Sequence, residues 1–132
     1  MSDFFPYTDS KDHPYVMLCR ATLDIVEDLT VDAGAVRLML LLSPHMERRG
    51  YVEHSNLWLQ SKLGLSERTV RRYLMQLEEK GYIWREVWKE EMESKRRIWL
   101  PDIYRKFLDA HQIEDPLFEK AQKKKVEGGN NE

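Results

Sequence analysis

Apolar residues recur at helical spacing through the middle of the chain, and polar residues fill the gaps between them. Val70, Tyr73, Leu74 and Leu77 fall at i, i+3, i+4 and i+7, the core stripe of an amphipathic helix. Arg68, Arg72, Met75 and Glu79 point the opposite way, with Thr69 and Gln76 on one flank. A shorter apolar helix precedes it, carrying Leu57, Leu59 and Leu63, and ends at Gly64, where a residue without a Cβ can turn left-handed. Ser66 is a favoured N-cap for the second helix, Glu67 suits the positive end of its dipole, and Gly81 closes it after Lys80. The helix is predicted over 67–80.

The flanks carry weaker patterns. Residues 1–13 are polar, broken by Pro6, and read as a flexible arm. Residues 14–23 read as a short strand or an extended segment. Thr30 is a candidate cap for a helix from Val31 to Met46, with Val36, Met39, Leu40 and Met46 on one face and Pro44 set to kink or shorten it. Gly50 ends that segment, Tyr51-Val52 can supply a small strand, and Ser55 or Asn56 caps the next helix. After Gly81, residues 82–100 read as two strands, about 82–88 and 95–100, with Ile83, Val87, Ile98 and Leu100 alternating toward a core. Their turn lacks Asn-Gly or Asp-Gly, which predicts a longer, mobile tip. Pro101 opens a helix over 101–111, with Ile103, Tyr104, Phe107 and Leu108 on one face. Residues 113–132 are charged, end in KKKVEGGNNE, and read as a disordered tail.

The run LGLSERTVRRYLMQLEEKGYI, Leu63 to Ile83, resembles the winged helix-turn-helix domains of bacterial, plasmid and phage transcription regulators and replication initiators. The resemblance implies an α+β fold, mainly α with a small β-hairpin, spanning 14–112. It also implies that the second helix enters the DNA major groove and that the hairpin over 82–100 is the wing. Upstream, LTVDAGAVRLMLLL and the following GYV look like the lead-in of plasmid and phage replication proteins.

A net charge of −2 does not suggest nucleic acid, but its distribution does. Residues 1–32 carry seven acids against two bases, whereas residues 61–85 carry six bases against three acids. A local positive face attracts phosphate whatever the total. The one cysteine, Cys19, excludes an intramolecular disulfide and fits a reducing cytoplasm. There is no long apolar run and no signal-peptide pattern, so a membrane partner is not expected.

Arg68, Thr69, Arg72 and Gln76 are the candidate base contacts, since Arg pairs with guanine and Gln with adenine. Lys62, Ser66, Arg71, Lys95, Arg96 and Arg97 are candidate phosphate contacts, although Arg71 is also placed to pair with Glu67. Glu90, Glu91 and Glu93 would repel phosphate, so the wing either bends its tip away or serves a protein contact. Trp84, Trp88 and Trp99 mark either an interface, such as a homodimer on a palindromic site, or packing beneath the C-terminal helix. The four histidines are scattered without metal spacing, and neither a phosphate-binding glycine loop nor a nucleophile elbow occurs. No metal, no cofactor and no enzymatic activity are expected. Three functions fit: a transcriptional regulator binding double-stranded DNA, a replication or partition initiator, and a winged-helix module that binds protein.

Overall fold

The computed structural model describes residues 20–46 and 49–129. The expected arm over 1–13, Cys19 and the final residues 130–132 lie outside them. Nine elements follow in order: α1 (Arg20–Val26), α2 (Ala33–Met46), β1 (Tyr51–Val52), α3 (Asn56–Leu63), α4 (Glu67–Glu79), β2 (Trp84–Glu90), β3 (Glu93–Trp99), α5 (Pro101–His111) and α6 (Pro116–Gly129). The strands form an antiparallel sheet in the order β1-β3-β2.

Register decides which side chains share a face, because side chains directly opposite each other in an antiparallel pair point the same way. Val52 faces Ile98, and Tyr51 faces Trp99, which also faces Trp84. One face of the sheet therefore carries Val52 and Ile98 into the main core, among Leu38, Met39, Leu42, Leu59, Val70, Leu74 and Leu77. The other face carries Tyr51, Trp84 and Trp99 into a second cluster with Tyr104, Leu108 and Phe118 of α5 and α6. The sheet is thus a wall between two apolar layers.

Several elements differ from the sequence-based expectation. Residues 20–23, read as strand or extended, lie in α1. The second helix starts at Ala33, and Thr30 bonds the Asp28 carboxylate through both its N–H and its hydroxyl, so it does not cap α2. The helix runs through Pro44 to Met46, because a proline this near the end removes only one backbone bond. Leu40 lies outward, while Ala35, Leu38, Met39, Leu42 and Met46 form the buried face. The hairpin tip is a tight two-residue turn at Glu91 and Met92, both at positive φ (50° and 73°). That is type I′ geometry without the usual Asn-Gly, and pairing of both strands out to Glu90 and Glu93 holds it.

The largest departure is at the C-terminus. Residues 116–129, read as disordered tail, form α6. Asp115 caps it, accepting from the Phe118 N–H at 3.2 Å, and takes the Tyr104 hydroxyl at 2.5 Å. Phe118 is 1% exposed and meets Trp84 and Tyr104 edge-on, at centroid distances of 5.3 and 4.9 Å. One buried aromatic anchors a helix whose other residues are mostly polar.

Candidate nucleic-acid interface

The local signals between α3 and α4 act as their chemistry requires. Ser55 caps α3, its hydroxyl accepting from the Trp58 N–H at 3.1 Å. Gly64 ends α3 at φ 67°. Ser66 caps α4, accepting from the Thr69 N–H at 3.2 Å and donating to the Thr69 hydroxyl at 3.0 Å. At the far end, the N–H groups of Gly81 and Tyr82 bond the carbonyls of Glu78 and Leu77, the two bonds of a Schellman motif, with Gly81 at φ 83°. Helix α4 therefore stops at Glu79, with Lys80 as its cap.

The buried face of α4 is complete. Val70, Leu74 and Leu77 are fully buried, and Tyr73 lies against Gly34 of α2, so close that an added Cβ would sit 2.4 Å from the ring. Two further struts fix the helix. Gln76 Oε1 accepts from the Asp32 N–H at 3.0 Å. Glu78 takes the Arg85 backbone N–H at 2.9 Å and its guanidinium at 3.1 Å through both carboxylate oxygens. Helix α4 is thus tied both to the start of α2 and to the root of the hairpin.

These contacts sort the expected site residues. Arg68 and Arg72 are exposed on the side away from the core. Arg72 has its guanidinium 5.2 Å from the Tyr73 ring centroid. Arg71 pairs with Glu67 at 2.5 Å, the helical pair that its spacing allows. Thr69 and Ser66 are bonded to each other, and Gln76 has its acceptor committed, so neither Thr69 nor Gln76 is as open to bases as the arginines. Lys62 is exposed above Trp58 at 5.7 Å.

The basic run in the wing is split by strand alternation. Lys95 is exposed and pairs with Glu93 at 3.1 Å. Arg96 donates to Asn56 Oδ1 and to the His54 carbonyl, both at 2.6 Å. It is half-buried, and it pins the loop in which His54 stacks on Trp58 with centroids 3.9 Å apart. Burial, reinforced by His45, pushes the His54 imidazole below its ordinary pKa, which keeps that stack neutral. Arg97 lies against the Tyr51 and Trp88 rings at 4.6 and 5.1 Å, with Glu53 at 3.9 Å from its Nε, an ion pair rather than a hydrogen bond. Arg96 and Arg97 thus serve the fold, while Lys95 projects outward.

The tryptophans also separate. Trp99 is buried, and its Nε1–H donates to Glu86 at 3.0 Å. Trp84 is half-buried beneath α5 and α6, and Trp88 is half-buried against Arg97. For Trp84 and Trp99 this is the packing arrangement and not an exposed interface. What the sequence reading missed is Lys89, exposed on the wing and facing Ser94, on the same strand face as Arg85.

Among the described residues no three or more His, Cys, Asp or Glu side chains gather as a metal site, and no helix is long and apolar enough to cross a membrane. No curated protein and no solved structure matches the chain. Residues 54–83, which run from the end of the β1–α3 loop to the start of the wing, match the family described as winged helix-turn-helix DNA-binding. That similarity covers under a quarter of the chain, and the paired hairpin that follows it has the place of the wing in a winged helix-turn-helix fold.

Proposed function

We propose that the protein binds double-stranded DNA with sequence preference and acts as a transcriptional regulator, with α4 in the major groove. The observation that carries this reading is the division of α4. Its inner face is wholly committed to the core, while Arg68 and Arg72 stand outward and pair with no carboxylate among the described residues. Guanidinium groups on such a helix can pair bidentately with the guanine edge. Lys62 supplies backbone attraction, and the exposed Lys95 adds to it where phosphate displaces its Glu93 partner.

The wing tip takes a different role. Glu90, Glu91 and Glu93 cluster there, and Met92 is 98% exposed. Carboxylates are repelled by phosphate, so the tip stands off the duplex and offers a surface to protein, such as a second copy on a palindromic site.

Selection from a random duplex pool tests the reading. A single preferred site should emerge, Arg72→Ala should lose about 1–3 kcal/mol on it and relax preference at one base position. A reporter promoter carrying that site should then change its output. If instead a replicon fails when the protein is removed while promoters are unaffected, the role is initiation. Binding with no preference for any sequence would contradict base reading.

A further inference from the structure

The outward stripe of α4 has a third rung that neither charge nor hydrogen bonding explains. At about 100° per residue, Arg68, Arg72, Met75 and Glu79 fall within about 60° of one another, opposite Val70 and Leu77. Met75 is 52% exposed, along one edge of that stripe between Arg72 and Glu79. A lone exposed apolar residue is ordinary. This one sits directly after two unpaired arginines, on a helix whose apolar face is already filled. Of the two flanking polar residues, Gln76 has its side-chain oxygen bonded to the Asp32 N–H and Thr69 is bonded to Ser66.

The geometry points to Met75 as a base-reading residue that packs against the 5-methyl group of thymine. The inference rests on the placement of α4 in the major groove proposed above. Thymine alone among the four bases presents a methyl group there, and apolar side chains contact it. From Arg72 to Met75 the helix rises about 4.5 Å, between one and two base-pair steps of about 3.4 Å. A thymine near the guanine taken by Arg72 is therefore within reach. The thioether is flexible and polarisable, which suits it to a methyl group in an irregular groove.

Replacing thymidine by deoxyuridine deletes that methyl group and leaves base pairing unchanged, which gives a direct test. A duplex selected from a random pool is made with each thymidine replaced in turn, and affinity is measured by fluorescence anisotropy for the protein and for Met75→Ala. One replacement should weaken the unaltered protein about fourfold, the value of one buried carbon group. Met75→Ala should bind the two forms equally, with a melting temperature near that of the parent. The inference is overturned if no replacement matters, if the selected site has no thymine, or if Met75→Ala keeps the same sensitivity. Failure to bind the unmodified duplex would instead remove the DNA reading itself.

Discussion

Phe118→Ala measures how far the C-terminal helix belongs to the domain. The side chain is 1% exposed and closes the second cluster against Trp84, Tyr104 and the Arg105 guanidinium, the last at 4.8 Å. Removing a buried phenylalanine costs about 3–5 kcal/mol, from lost transfer energy and the cavity left behind. Helix α6 lies at one end of the chain and can relax into the gap, so the lower figure, about 3 kcal/mol, applies. With about 2.1 cal/mol/K of unfolding entropy per residue over the roughly 110 described residues, that converts to a fall of about 13 °C in Tm. Circular dichroism on heating reads it, with Leu117→Ala on the exposed side of the same helix as the control. The control should move by no more than about 2 °C, the range of an exposed substitution. Equal, negligible shifts for both variants would refute the packing of α6 and restore the disordered tail.

Other expectations follow from local geometry. Glu91→Asn with Met92→Gly puts the two residues that best tolerate positive φ at the turn and should raise stability by about 1–2 kcal/mol in urea titration; a loss would mean the turn is not type I′. Gln76→Ala should cost about 1 kcal/mol through its bond to Asp32 and leave base preference intact; a changed preference in selection would show that Gln76 reads DNA. The Asp28 carboxyl is held down from 3.8 to about 2 by the Thr30 hydroxyl first, then by the Tyr82 hydroxyl and the Thr30 N–H. A depressed carboxylate stabilises the fold above its unfolded pKa and loses that contribution as pH falls through the folded one. Asp28→Asn should therefore lower stability at neutral pH, where the ionised carboxylate contributes, and converge on the parent as pH falls from about 4 to 2; a stability difference that stays constant through that range would contradict the link.

How much of this was legible in the sequence depended on distance along the chain. Gly64, Ser66 and Gly81 act through bonds to residues three or four positions away, so their roles could be read directly. The α4 stripe was legible for the same reason. Residues whose partners lie far off were not. Arg96 is bound to His54 and Asn56, forty or more positions away, and Gln76 to Asp32, so both looked free. The tip was misread because strand pairing, rather than turn residues, dictates its geometry. In the tail, a lysine-rich composition concealed the contribution of Asp115 and Phe118. The tryptophans showed two faces of a strand but not the helix that covers one of them.

Whether the outward face of α4 holds DNA is tested most directly by a salt titration. Affinity for random-sequence duplex is followed by anisotropy from low to physiological salt, for the protein and for Arg68→Ala/Arg72→Ala. Binding should weaken steeply with salt, and the double variant should fold normally but bind less tightly with a shallower slope. Salt-dependent binding that the double variant retains unchanged would contradict it, and would place the DNA on another face.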